Sequence, residues 1–165
     1  MTPQPRTLTA TLLLWLLMLT TQFPALAEEQ IIEEASDFQS LQQEMLDEKL
    51  PLLLAFRADY CDYCAQLERE YLEPMIKSGD YAKRILIRRF SMGKSETVTD
   101  FNGDRIDADE FSHRHKASLT PTLVFLNAQG EEVAERLLGY NSPDFYGAYL
   151  ENAIDAAYKA VNNEK

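Results

Sequence analysis

Residues 52–64 read LLLAFRADYCDYC, and this stretch decides the fold of the chain. Its first part, residues 52–56, is continuously apolar and of strand length, which is typical of a strand covered on both faces of a sheet. Cys61 and Cys64 follow, and residues 65–72 are rich in helix-forming residues. The stretch therefore predicts a buried central strand that leads into a helix, with Cys61 at the junction between them.

Segments on either side of this stretch predict further elements. Ser36 opens the pattern of a capping box, and apolar residues at helical spacing behind it predict a helix to about residue 49. Pro74 is expected to bend or end the helix that carries the cysteines, with a short continuation over residues 75–83 that breaks at Ser78-Gly79. Residues 85–90 predict a second strand, and residues 91–105 predict a polar excursion with a small hairpin.

The second half of the chain predicts a helix at residues 107–117, two strands at 122–126 and 132–138 joined by a tight turn, and a closing helix that begins with Pro143. The apolar stripe of the closing helix is predicted to comprise Phe145, Tyr149, Ile154, Ala157, Tyr158 and Val161. Alternation of helices and strands at the front gives parallel strands, and the late hairpin adds antiparallel ones. The expected fold class is α/β, with a mixed central sheet and helices on both faces.

The composition describes an ordinary folded chain with an acidic balance. Of the 165 residues, 45% are hydrophobic and 26% charged, which excludes a disordered or collagen-like protein. The 16 basic residues against 27 acidic ones give a net charge of −11. The positive field that holds a protein to nucleic acid or to anionic lipid is therefore missing.

Residues 1–27 have the features of a secretory signal peptide. They contain one basic residue, Arg6, then a short apolar run, then a small-x-small cleavage site that ends at Ala27. The apolar run is shorter than the roughly 20 residues of a comfortable membrane span. We predict cleavage near Ala27, which leaves residues 28–165 as a single exported domain without a membrane anchor.

The two cysteines are the chemical centre of the sequence. Compartments outside the cytosol oxidise thiols, and a bridge across two residues closes too small a loop to add much stability. The thiolate is the reactive species and is stabilised at a helix N-terminus, so Cys61 is predicted to attack and Cys64 to resolve the mixed disulfide. Asp59 and Asp62 are expected to raise the pKa of Cys61 and Arg57 to lower it, which leaves the net direction open. Asp62 stands between the cysteines, where a cation would stabilise the thiolate, and this favours a reducing role.

On these residues the chain resembles the thioredoxin superfamily over nearly all of the region after the signal peptide. The resemblance rests on residues 52–56, residues 58–64, residues 120–125 and the turn at Gly130 that leads to Gly139. The resemblance is strongest to periplasmic thioredoxins of the SoxW type and weaker to the catalytic domains of disulfide isomerases. It implies a thioredoxin-like fold and a periplasmic thiol-disulfide oxidoreductase.

The same resemblance implies the surroundings of the cysteines. The Thr120-Pro121 bond is expected to be cis, and the backbone at Thr120 is expected to pair with an extended segment of a disulfide-containing protein substrate. Electrons would come from a membrane or periplasmic redox donor, and no small cofactor is needed. Tyr60 and Tyr63 flank the cysteines. Their side chains either form an apolar rim that faces the substrate or simply pack against the protein, and the sequence leaves both interpretations open.

Two departures from the superfamily stand out. Members of the cytosolic type carry a buried acid six residues before the first cysteine, where it helps to take the proton of the second cysteine, and this chain has Ala55 there. They carry Trp directly before the pair, where this chain has Tyr60. Water, Asp59 or Glu68 is left as the proton acceptor for the second cysteine.

Two other readings of the cysteines compete with redox catalysis. Together with His113 and His115 they would form a nominal zinc set, but histidines two apart on a helix point to different sides, so both are interpreted as exposed residues and no metal is expected. A thioredoxin-fold binding or chaperone module with a static Cys61–Cys64 bridge is the alternative function.

Overall fold

The structure is a computed structural model, and it describes residues 31–93, 96–140 and 143–163. The predicted signal peptide at residues 1–27 lies outside these ranges. Within them, no helix combines the length and the apolar character needed to cross a membrane.

The helices and strands of these ranges follow the predicted order. They are α1 (Phe38–Glu48), β1 (Leu52–Arg57), α2 (Asp62–Leu67), a π-helical segment (Glu68–Leu72), α3 (Glu73–Ser78), β2 (Leu86–Ser91), β3 (Thr97–Thr99), β4 (Arg105–Asp107), α4 (Ala108–Arg114), β5 (Thr122–Leu126), β6 (Glu132–Leu138) and α5 (Pro143–Asn163).

The predicted mixed sheet is confirmed. Its four strands lie in the order β2-β1-β5-β6, and β3 and β4 form a separate antiparallel hairpin within the predicted polar excursion. β1 pairs with β2 in parallel and with β5 antiparallel, and β5 pairs with β6 antiparallel. β1 is therefore a central strand, with a neighbour on each side.

The side chains of β1 alternate between two hydrophobic cores, one on each face of the sheet. Leu54 and its same-face neighbours join a cluster that includes the aromatic rings of Phe38, Phe90 and Phe111 from α1, β2 and α4. Leu53 and Ala55 join the opposite cluster, which takes the buried face of α5. Helices cover both faces, as the unbroken apolar run of β1 requires.

One prediction about a helix end is wrong and another is confirmed. The N-cap of α1 is Asp37, whose carboxylate accepts the backbone N–H of Ser40, so the capping box does not begin at Ser36. The cysteine helix continues past Pro74 as α3 and ends at Ser78, with Gly79 as its C-cap residue, which confirms the predicted break at Ser78-Gly79. The residues before Pro74 are π-helical, a local insertion that changes the backbone hydrogen-bond pattern of the helix.

The predicted apolar stripe of α5 is only partly right. Ile154 and Ala157 are fully buried, but Phe145, Tyr149 and Tyr158 are exposed. The buried face instead comprises Tyr146, Leu150, Ala153, Ile154 and Ala157, a helical spacing that starts one residue later. The sequence pattern fits either register, and packing against β6 selects this one.

The prediction that both histidines are exposed is right for His113 and wrong for His115. The ring of His115 lies 4.5 Å from that of Phe111 and 6.0 Å from that of Phe56, centroid to centroid. Burial is the main cause that lowers the pKa of His115 to about 4, with a smaller contribution from the charge of Arg136. His115 is therefore half-buried against the aromatic core and neutral at neutral pH.

We expect this histidine to make the fold sensitive to acid. Its folded pKa of about 4 lies below the ordinary 6.5, so the unfolded chain binds the proton more readily. The contribution of neutral His115 to the free energy of unfolding is therefore complete above pH 6.5. It is lost as the pH falls toward 4, and the loss is at most about 3 kcal/mol.

Urea denaturation across this pH range measures the loss. The His115→Gln variant should lose less unfolding free energy on acidification than the wild type, because it has no imidazole to protonate. The matched control is His113→Gln, on the exposed side of the same helix, which should lose as much as the wild type. Equal losses in all three proteins would contradict a buried neutral His115.

Candidate active site

The end of β1 places Cys61 at the N-terminus of α2. After Arg57 the chain leaves the sheet, passes through Tyr60 in a left-handed conformation with φ of 59°, and starts the helix at Asp62. Cys61 is the N-cap residue, and its sulfur accepts the backbone N–H of Cys64 at 3.2 Å. A left-handed non-glycine residue is costly, and such strain is typical of functional sites.

Cys61 and Cys64 form a disulfide bond. The sulfurs are 2.02 Å apart and the Cα atoms 5.2 Å apart. Cys64 is only 1% exposed, whereas Cys61 is partly exposed. The pair is therefore asymmetric, because Cys61 is partly exposed to solvent and Cys64 is buried.

The Thr120-Pro121 segment lies beside the end of β1. Thr122 begins β5 and pairs with Phe56, so the two residues before it are next to the loop that leads to Cys61. The Thr120-Pro121 peptide bond is cis. The Pro121 carbonyl accepts the N–H of Gly139, and the Thr122 hydroxyl donates to the Leu119 carbonyl at 2.6 Å. These bonds fix the segment against the sheet.

Exposed apolar side chains adjoin the cysteines and the Thr120-Pro121 segment along the chain. Tyr60 is fully exposed, and Tyr63 and Leu119 are 60% and 55% exposed. Simple packing therefore does not describe the two tyrosines. Leu119 was not anticipated from the sequence, where the only indication is an apolar residue directly before Thr120-Pro121.

A buried ionic network lies behind the cysteine helix. Glu68 follows α2 and pairs with Arg57 at 3.5 Å and with Arg89 at 3.8 Å. Arg89 also pairs with Glu34 at 2.8 Å, and the Glu34 carboxylate accepts the N–H of Ser91. Burial raises the pKa of Glu68, and the charges of Arg57 and Arg89 oppose that rise.

The residues proposed as proton acceptors differ in position. Asp59 is exposed in the loop before the cysteines, whereas Glu68 is 9% exposed in the ionic network. Ala55 is buried in the same core as Leu67 and Leu72 of the cysteine helix, and its methyl side chain cannot accept a proton. Glu68 is one of the acceptors that the sequence leaves open, but the sequence does not indicate its partner Arg89, which comes from β2.

The four residues of the nominal zinc set are not brought together. Among the described residues, no group of histidine, cysteine, aspartate and glutamate side chains is arranged to hold a metal ion. The two cysteine sulfurs are bonded to each other, and His115 packs against Phe111.

Known proteins resemble the chain at the level of family and fold. The family model of the thioredoxin-like domain matches residues 38–154, from the start of α1 into α5. No curated protein matches the chain significantly. The match and the mixed sheet confirm the thioredoxin-like fold that the sequence predicts.

Solved thioredoxins are similar at low identity. The thioredoxin of Fasciola hepatica is 16% identical, with a TM-score of 0.48 over 73% of this chain and 98% of that chain. The periplasmic thioredoxin SoxS of Paracoccus pantotrophus, in its reduced form, is 24% identical, with a TM-score of 0.45 over 65% of this chain and 98% of that chain.

The unequal burial of the two sulfurs makes a prediction for the reduced protein. Iodoacetamide near neutral pH should modify Cys61 and leave Cys64 unmodified, because only Cys61 is open to a reagent. Peptide mass mapping of the modified protein identifies the site. In guanidinium chloride both thiols should react. Modification of Cys64 at the same rate as Cys61 in the folded protein would contradict the asymmetry.

Proposed function

The chain belongs to the thioredoxin-like domain family, and on that premise we propose that it is an exported thiol-disulfide oxidoreductase that reduces or exchanges protein disulfides. One observation carries the proposal. The Cys61–Cys64 disulfide stands at the start of a helix, with one sulfur accessible and the other buried. Thiol-disulfide exchange needs an outer thiol that meets the substrate and an inner one that completes the reaction.

The reaction takes place in two exchanges. The Cys61 thiolate attacks a disulfide of the substrate, which forms a mixed disulfide and releases the first substrate thiolate. The Cys64 thiolate then attacks the Cys61 sulfur, which forms the Cys61–Cys64 disulfide and releases the second substrate thiolate. Two electrons pass from the protein to the substrate, and a redox donor must return two electrons to the protein.

The environment of Cys61 favours reduction over oxidation. The helix N-terminus and the N–H of Cys64 stabilise a Cys61 thiolate. The exposed carboxylates of Asp59 and Asp62 flank it and oppose that effect. Strongly oxidising proteins with a cysteine pair have a high reduction potential because their reduced form is stabilised. The flanking carboxylates destabilise the Cys61 thiolate of the reduced form, so they support a reducing role.

The surface around Cys61 suits an extended segment of a protein substrate. Tyr60, Tyr63 and Leu119 supply exposed apolar contact area. The backbone of Thr120 lies next to the cysteine loop, where it can pair with such a segment in the manner of an added strand. Tyr60, Tyr63, Thr120 and Pro121 are therefore the proposed substrate-binding residues.

The proposed location rests on residues 1–27. Their basic start, apolar run and cleavage pattern support export to the periplasm with cleavage near Ala27. The likeness to periplasmic SoxW-type thioredoxins around residues 58–64 supports the same location. In that compartment the donor is a membrane or periplasmic redox protein, because the pair needs a fresh supply of electrons after each turnover.

A Cys64→Ala variant tests catalysis against the alternative of a static bridge. Mixed with insulin as a disulfide-containing substrate, the reduced variant should form a stable mixed disulfide at Cys61, because the resolving thiol is gone. The wild type should instead release reduced insulin and keep no adduct. Non-reducing gels with mass spectrometry measure both.

The matched control is the variant with both cysteines replaced by Ala, which should form no adduct. Failure of the Cys64→Ala variant to form any adduct, together with no insulin reduction by the wild type, would favour a binding or chaperone module whose disulfide is static.

A further inference from the structure

Glu68 is a buried carboxylate one helical turn beyond the inner cysteine. We propose that Glu68 accepts the proton of the Cys64 thiol as Cys64 attacks the mixed disulfide. This inference rests on the proposed function, because it concerns the second of the two exchanges. The position in β1 at which cytosolic members of the superfamily carry the proton-accepting acid is Ala55 in this chain. The proposal therefore places the proton acceptor on the cysteine helix instead.

The backbone places Glu68 on the same side of the helix as Cys64. The Glu68 N–H donates to the carbonyls of Cys64 and Ala65, so the helix is continuous between them. Side chains four residues apart on a helix are neighbours, with Cβ atoms about 5–6 Å apart. Cys64 and Glu68 are 1% and 9% exposed. At this separation a carboxylate can take a proton directly or through one water.

The charges around Glu68 suit it to accept a proton. Arg57 from β1 and Arg89 from β2 approach its carboxylate to 3.5 Å and 3.8 Å and favour the ionised form. Glu34, before α1, and Glu73, in α3, are the acidic groups that face it and favour the protonated form. Burial raises the pKa of Glu68, which brings the carboxyl closer to the range in which thiols titrate.

Other carboxylates are less suited to the task. Asp59 is exposed to solvent. Asp100 is also buried, but it pairs with Arg114 at 2.6 Å and accepts the N–H groups of Asn102 and Asp104 in the turn of the β3-β4 hairpin. Glu68 is thus the buried carboxylate that the helix of the cysteines itself supplies.

The proposed step transfers one proton and replaces one disulfide bond with another. The Cys64 thiol gives its proton to the Glu68 carboxylate, and the resulting thiolate attacks the Cys61 sulfur of the mixed disulfide. The new Cys61–Cys64 bond takes the place of the bond between Cys61 and the substrate. The substrate leaves as a thiolate with the electron pair of the broken bond. Glu68 later returns its proton to solvent.

The reaction of the reduced protein with the disulfide reagent dithionitrobenzoate separates this step from the first exchange. Attack by Cys61 releases one thionitrobenzoate, and attack by Cys64 on the mixed disulfide releases a second. Stopped-flow absorbance follows both phases as a function of pH. The first phase tests the proposed function, and the second tests Glu68.

The Glu68→Gln variant should keep the first phase and slow the second by about 100-fold at neutral pH, the lower end of what a general base contributes. The same variant should lower the pH at which the Cys64 thiol titrates, measured by thiolate absorbance in a Cys61→Ala background, because a nearby negative charge is removed. Slower resolution with an easier ionisation is a combination that loss of structure or of charge alone does not give.

Two further variants serve as controls for the effect of Glu68→Gln. Glu68→Asp keeps the carboxylate and should restore at least part of the second-phase rate. Glu70→Gln removes an exposed carboxylate two residues along the same helix and should leave the second phase unchanged. An unchanged or faster second phase in Glu68→Gln, with the first phase intact, would overturn the proposal for Glu68 and leave the proposed function standing. Loss of the first phase in the wild type would overturn the proposed function itself.

Discussion

Burial of β1 on both faces is the constraint on which the rest of the molecule depends. Its five residues from Leu52 to Phe56 are at most 4% exposed, and each large apolar side chain buried in this way contributes about 1.5–3 kcal/mol. Its pairing with β5 ends at Phe56 opposite Thr122, and the strand itself ends one residue later, at Arg57 opposite Ser91 of β2. That end fixes two things at once, the start of the loop to Cys61 and the position of the Thr120-Pro121 segment beside it.

The site at this end of β1 has a solvent-exposed side and a buried side. Tyr60, Tyr63 and Leu119 are exposed around the accessible sulfur, and the inner sulfur lies on the helix face that leads to Glu68. Buried ion pairs such as those of Glu68 with Arg57 and Arg89 are weak evidence for stability, because apolar replacements are often as stable. Proton transfer at Cys64 gives the network a role that stability alone does not.

The parts of the structure that the sequence predicts are those set by local chemistry. The apolar run of β1, the junction at Cys61 and the late hairpin each follow from neighbouring residues. The parts that it misses depend on partners distant in the chain. The register of the buried face of α5 is selected by packing on β6, the burial of His115 by the rings of Phe56 and Phe111, and the ionic network by Arg89 of β2.

The reduction potential of the Cys61–Cys64 pair tests the central claim, that this pair is a reducing dithiol, most directly. The protein is equilibrated in dithiothreitol and glutathione buffers, and its thiols are counted after quenching. The account predicts a value near that of thioredoxin, about −270 mV. A value near −120 mV would make the protein an oxidant, and a value well below about −300 mV without exchange activity would make the disulfide static. Either result would contradict the account.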